Sequence, residues 1–283
     1  MDERYYEEHS PWIMQHEQNK NYLEMTNVMK QYPNGFKAVN GLNLKMYADQ
    51  IFVLLGHNGA GKSSTISVLT GLYEPTEGEA EVFGIDMFKE FRKVREILGI
   101  CPQFDIIFDL LTPEEHLDIF YDFKGGDMDP YKKKNEIDTL LEDVGLEEKR
   151  NFQTAKLSGG NQRKLSVAMA LCGGSKLIIL DEPTSTLDLS ARRLLWNMLK
   201  EYRKDRIILL TTHYMDEADI LGDRIGIMVK GKVTCLGSSL FLKKKFGCGY
   251  NLTMLKASTE MNSKVLKYAK ERLGENCKLK SQN

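Results

Sequence analysis

The sequence predicts an α/β fold in which a mainly parallel sheet is flanked by helices and interrupted by a helical insert. Three observations carry this. The apolar run Ile51-Phe52-Val53-Leu54-Leu55 leads directly into a glycine-rich loop, and a helical pattern follows from Ser63 to Leu72. From Gln162 to Leu221 the pattern alternates between helix and strand, which implies parallel strands with helical crossovers. Between them, from Pro113 to about Leu165, helical periodicity persists with little β signal.

Bulk properties narrow the class. A chain of 283 residues, 42% apolar and 28% charged, can hold one large domain with a real core. A net charge of −1 speaks against a nucleic-acid binder, which would carry a basic excess. No apolar run approaches the ~18 residues of a membrane span. The first residues, Met1 to Glu8, are acidic and lack the apolar stretch of a secretory signal. Cysteines at 101, 172, 235, 248 and 277 form no C-x-x-C pair and read as free thiols in a reducing compartment.

Along the chain, residues 1–20 are polar and aperiodic and read as a linker or arm. Tyr22 to Val28 reads as a strand, and Pro33-Asn34-Gly35 as a turn. Leu42 and Leu44 alternate toward Gln50. The run from Ile51 to Leu55 is the pattern of a strand covered on both faces. After the glycine loop, Ile66 and Leu69 share one helical face. Gly78 to Phe83 reads as a strand, and Val94 to Ile100 leads into Pro102-Gln103. Within the insert, Glu114 onward and Asn135 to Val144 are helical, separated by Gly125-Gly126-Asp127. Then follow a helix from Gln162 to Leu171, a strand from Leu177 to Leu180, a helix from Ala191 to Lys204, a strand from Ile207 to Leu210 and a helix from Tyr214 to Leu221. Ile225 to Val229 and Lys232 to Leu236 read as a hairpin about Lys230-Gly231.

Chemistry concentrates in three strings. Gly56-His57-Asn58-Gly59-Ala60-Gly61-Lys62-Ser63 fits G-x-x-x-x-G-K-S, a phosphate-binding loop. Small residues at 59, 60 and 61 let backbone N–H groups converge on phosphate oxygens, and the following helix adds its positive end. Lys62 adds a mobile charge, and the hydroxyl of Ser63, followed by Ser64, is placed for Mg²⁺. Asp181 ends an apolar strand beside this loop, where it can hold Mg²⁺ through water, and Glu182 follows where a base can activate the attacking water. Leu157-Ser158-Gly159-Gly160-Asn161 opens a helix with small residues at its N-terminus, a donor-rich anion site.

In this order the strings resemble the ATP-binding cassette of ABC transporters. The resemblance covers about residues 22–256. It implies a P-loop NTPase core with an added antiparallel β subdomain, a helical subdomain of about 104–165, and an ATP-binding domain of 21–246. It further implies that Gln103 senses Mg²⁺ and water, and that His213 contacts the γ-phosphate and positions the water. Ser158, Gly159 and Gly160 would complete the ATP site of a second cassette docked head to tail, with Asp188 in a cross-dimer contact. Tyr32 lies where cassettes stack an aromatic ring on adenine, with Phe36 as its rival. Asn161 stands where most of the family has Gln. With Arg163-Lys164, the His57-Asn58 pair, the stretch Gln103 to Leu117 and the stretch Gly237 to Tyr250, it is similar to the A subfamily. Ser185-Thr186-Leu187-Asp188 departs from that subfamily and follows the general cassette pattern.

What the resemblance implies is an ATPase domain that uses MgATP to power export, with lipid as the subfamily's substrate. Its partners would be a second cassette and a transmembrane domain in the same or another chain, at the cytoplasmic face of a membrane. A soluble cassette ATPase, or a separate ATPase subunit of a two-gene transporter, is the alternative. Phe104, Ile106, Ile107 and Phe108 are either core of the insert or a docking groove for a membrane-domain helix. Leu252 to Leu255 reads as a strand and Asn262 to Leu273 as a helix, so 247–283 is expected to begin an incomplete regulatory segment.

Overall fold

The computed structural model describes residues 11–247 and the helical positions 267, 268, 271 and 272. The chain divides into two units, Met1–Lys245 and Phe246–Asn283. The strand and helix expected at 252–255 and 262–273 lie outside the described residues, apart from those four positions.

Residues 11–18 are not the irregular arm expected. They form helix α1 (Pro11–Gln18). Ile13 and His16, one turn apart, are buried. A carboxylate oxygen of Glu17 accepts from the Tyr47 hydroxyl at 3.0 Å and from Lys45 Nζ at 3.3 Å. From Ile13 to Gln18, these two are the buried positions, too few to register as a helical period.

Short turns then make antiparallel neighbours. β1 (Tyr22–Gln31) pairs with β2 (Lys37–Tyr47) across the turn at residues 32–36. After β3 (Gln50–Leu55) and α2 (Lys62–Leu69), β4 (Glu77–Val82) and β5 (Ile85–Asp86) complete a four-stranded antiparallel sheet, ordered β2-β1-β4-β5. Both β1 and β2 extend beyond the expected strands. Register shifts between Met25 and Val28, with Asn27 at φ 48°, interrupt the alternation that would have marked β1's full length. At that bulge Gly78 (φ 96°) passes so close that a Cβ would lie 2.4 Å from the Asn27 carbonyl oxygen.

The second sheet carries the site. α3 (Phe91–Ile97) leads into β6 (Leu98–Cys101). The insert contributes α4 (Pro113–Phe123), α5 (Pro130–Asp143) and α6 (Gly159–Leu171). Then β7 (Leu177–Asp181), α7 (Leu189–Tyr202), β8 (Ile207–Thr212), α8 (Met215–Leu221), β9 (Arg224–Val229), β10 (Lys232–Gly237) and α9 (Ser239–Phe246) follow. The order is β10-β9-β3-β8-β7-β6, parallel throughout except for the β9–β10 hairpin. Strand residues alternate between two cores. Ile51, Val53, Ile178, Leu180, Ile208 and Leu210 face one; Phe52, Leu54, Leu177, Ile179, Ile207 and Leu209 face the other. Burial on both faces is why these strands read as continuous apolar runs.

Helix starts follow capping chemistry. Thr112 and Glu115 form a reciprocal capping box at α4. Asp129 caps α5 with Pro130 in the first turn, five residues before the expected start at Asn135. Ser158 caps α6, which begins at Gly159 rather than Gln162. At the other end of α6, Lys124 Nζ donates to the carbonyls of Met169, Ala170 and Cys172 at 2.8, 3.0 and 3.1 Å, a half-buried amine at a helix C-terminus.

Candidate functional site

The carboxyl ends of β3, β7 and β8 gather the site. From β3 the chain enters residues 56–61, where the Gly56 N–H donates to the Thr212 carbonyl at 3.3 Å. The Ala60 carbonyl accepts from the Gly231 N–H at 2.8 Å, and the Gly231 carbonyl accepts from Asn40 at 2.9 Å. The β9–β10 turn therefore buttresses the loop. Gly61 sits at φ 111°, and a Cβ there would lie 2.3 Å from the Ala38 carbonyl oxygen, so no other residue fits.

The loop suits a triphosphate. A Cβ on Gly59 would meet nothing within 4 Å, so its backbone faces open space. α2 has no side-chain cap on its first N–H groups, which leaves them for an anion. Lys62 is buried, with Nζ donating to the carbonyls of Gly56 at 2.7 Å and His57 at 3.3 Å. Its pKa is lowered by burial, against the opposing pull of Glu182 and Asp181. Both carboxylates thus lie within electrostatic reach of the ammonium, and Glu182 Oε1 is 3.9 Å from it.

Asp181 ends β7, where Oδ1 accepts from the Thr211 hydroxyl at 2.5 Å. Glu182 N–H donates to the Thr211 carbonyl at 3.1 Å and hydroxyl at 3.2 Å. Its φ of 49° lies in the left-handed region. His213 Nδ1 faces Glu182 Oε1 at 3.1 Å. Lys62, Asp181, Glu182 and His213 are thus brought together. Oxygen ligands from Ser63, Gln103 and Asp181 suit a hard dication such as Mg²⁺. No group of three or more His, Cys, Asp or Glu fit to hold a metal occurs among the described residues.

Gln103 is exposed just beyond β6 at the same edge. No hydrogen bond joins its side chain to Asp181 or Glu182 among the described residues. Its flanks are fixed by a residue the sequence marked only as a subfamily trait. Arg163, 1% exposed on α6, reaches five oxygens. It donates to the Pro102 carbonyl at 2.5 Å and Asp105 Oδ1 at 2.8 Å. It also donates to the carbonyls of Asp181, Glu182 and Pro183 at 2.5, 3.1 and 3.1 Å. One guanidinium ties the Gln103 segment, the end of β7 and the helix begun by Ser158. Neighbouring basic residues at 163 and 164 gave no signal that one would be buried.

The remaining residues are placed as follows. Ser158 caps α6, accepting from Asn161 N–H at 3.4 Å, and Gly159 is exposed beside it. No hydrogen bond joins 158–161 to 56–63 among the described residues. Asp188 caps α7 and accepts from the Ser190 N–H and hydroxyl, which hold its pKa down. The Tyr32 hydroxyl lies 3.2 Å from Ser64 Oγ, at the start of α2. Its ring packs edge-on with Tyr73, centroids 5.9 Å apart. Phe36 is exposed at the far side of the turn. Phe104, Ile106 and Phe108 are 79, 64 and 55% exposed, so they are not core; Ile107 packs partly against it.

Residues 39–185 match the family model described as ABC transporter. The chain is 52% identical over 219 residues to the human phospholipid-transporting ATPase ABCA3, covering 77% of this chain and 13% of that protein. It is 49% identical over 232 residues to the Rattus norvegicus ATP-binding cassette sub-family A member 2, covering 82% and 9%. The chain thus spans a small part of the curated relatives it matches. Among solved structures, the ATP-binding subunit of an ABC transporter superposes with a TM-score of 0.73 at 26% identity, covering 80% of this chain and 93% of that one. A dimeric post-hydrolysis cassette bound to ADP and Pi gives 0.70 at 27%, covering 76% and 98%. With the family model spanning residues 39–185 and relatives about half identical over most of its length, the chain belongs to the ABC transporter family and carries its ATPase cassette, most similar to the A subfamily.

Proposed function

We propose that this chain binds MgATP and hydrolyses it to drive lipid export, as the cytoplasmic cassette of an A-subfamily membrane transporter. The observation that carries the reading is the Lys62, Glu182 and His213 cluster at one sheet edge. Backbone N–H groups of 59–61 and the start of α2 hold the β- and γ-phosphates. Lys62 leaves the carbonyls of Gly56 and His57 for phosphate oxygens. Ser63, Asp181 and Gln103 would hold a Mg²⁺ ion, which would supply charge neutralisation at those oxygens. Glu182 takes the proton of the attacking water, and His213 orients it. Tyr32 stacks on the base. Lipid as cargo is supported by the similarity to the human phospholipid-transporting ATPase ABCA3.

A second cassette docked head to tail completes each site. The exposed, small-residue start of α6, unconnected to its own phosphate loop, supports this. Specific ATPase activity of the isolated chain is expected to rise with protein concentration. Activity that stays flat over an about hundredfold dilution below micromolar, where weak dimers dissociate, would refute the shared site.

A helix of the transmembrane domain docks on the exposed Phe104, Ile106 and Phe108. Contiguous exposed apolar residues usually mark a partner surface. Phe104→Asp is expected to leave basal ATPase nearly unchanged and to abolish ATP-driven transport by the full-length protein in vesicles. Transport at the wild-type rate would remove this surface from the interface.

A further inference from the structure

Behind the Glu182–His213 pair lies a second, buried clamp. Thr184 follows Glu182 by two residues, and Glu217 follows His213 by four. The Thr184 hydroxyl donates to Glu217 Oε1 at 2.8 Å, and Trp196 Nε1 donates to the same oxygen at 3.2 Å. Thr184 is fully buried and Glu217 is 2% exposed. Glu217 Oε2 has no hydrogen-bond partner among the described residues. The loop bearing the base and the helix following the histidine are therefore joined twice, once at the reaction centre and once inside.

The two joints differ in strength. His213 is 35% exposed, so water competes for its contact with Glu182. The inner contacts involve a carboxylate shielded from water, where hydrogen bonds are stronger. Burying a carboxylate is costly, and packing alone would be served by an apolar side chain. The Thr184 carbonyl also accepts from the Leu187 N–H at 3.1 Å, so the turn leading to Asp188 hangs from the same residue. α8 is thus fixed from within relative to the strand end that carries Glu182.

We propose that Glu217 is a positioning residue: by holding Thr184 and Trp196 it sets His213 in register with Glu182. This rests on the assignment of Glu182 as the base. Glu217→Leu keeps volume but removes the acceptor. It is expected to lower kcat about tenfold, the rate equivalent of one hydrogen bond, with binding of a fluorescent ATP analogue unchanged. Glu217→Gln retains an oxygen acceptor and is expected to stay within about twofold of wild type. Thr184→Val, nearly isosteric, should repeat the loss and carries the test if Glu217→Leu does not fold. Because Glu217 acts through His213, adding Glu217→Leu to His213→Ala should slow turnover no further. Wild-type kcat in both Glu217→Leu and Thr184→Val, a loss in Glu217→Gln equal to that in Glu217→Leu, or a multiplicative double mutant would each overturn the proposal. Glu182→Gln is the control: if it retains turnover, the base assignment has failed instead.

Discussion

Glu182→Gln is expected to stop turnover while ATP remains bound. The amide cannot take a proton from water, and a general base contributes about two to four orders of magnitude. The phosphate loop keeps its backbone donors, since the Glu182 side chain meets it at the Lys62 ammonium, 3.9 Å away. Glutamine is nearly isosteric and keeps an oxygen for the His213 Nδ1 contact. Bound, unhydrolysed ATP should then accumulate in a dimer that persists through gel filtration with MgATP. Hydrolysis at the wild-type rate would end the case for Glu182 as the base. Lys62→Ala should behave oppositely and weaken nucleotide binding itself, because Lys62 supplies charge to the phosphates rather than to the water.

The second large effect is on stability. Arg163→Met should destabilise the cassette by about 3–5 kcal/mol, the usual cost of breaking a buried ion pair by removing one partner. Four backbone carbonyls, at Pro102, Asp181, Glu182 and Pro183, would lose a donor together with the Asp105 carboxylate. Methionine fills similar volume but donates nothing. Lysine would not rescue it, since a point ammonium cannot reach oxygens arrayed around a planar fork. Urea denaturation of the nucleotide-free protein measures this. A shift under about 1 kcal/mol would mean that relaxation or water satisfies the carbonyls, and that Arg163 is not the tie among these segments.

The parallel sheet and its phosphate loop were legible because both faces of each strand are buried, which leaves continuous apolar runs in the sequence. The same burial announced Ile51 to Leu55 and Leu177 to Leu180 without ambiguity. Less legible was β1, whose bulge at Asn27 breaks the period of two. α1 was missed because from Ile13 to Gln18 the inward residues, Ile13 and His16, make no stripe. Lys62, Glu182 and His213 were found through local strings, and each string lies at a strand end. Arg163, Glu217 and Gly231 were not found as parts of the site. Their partners lie from 18 to 191 positions away along the chain, and only three-dimensional pairing reveals them. The Phe104 loop could not be assigned from composition, since exposure is a property of the fold.

Glu182 occupies a backbone geometry that a glutamate does not favour. At φ 49° a side chain crowds its own carbonyl, at about 1–2 kcal/mol, and Pro183 denies the residue the ordinary helical alternative. Glycine, or asparagine and aspartate with their short side chains, would sit there with less strain. Lys20, Phe83 and Lys230 carry the same kind of strain at φ 54°, 49° and 47°. What sets Glu182 apart is that its strained backbone stands at a strand end, with its carboxylate 3.9 Å from the Lys62 ammonium and 3.1 Å from His213.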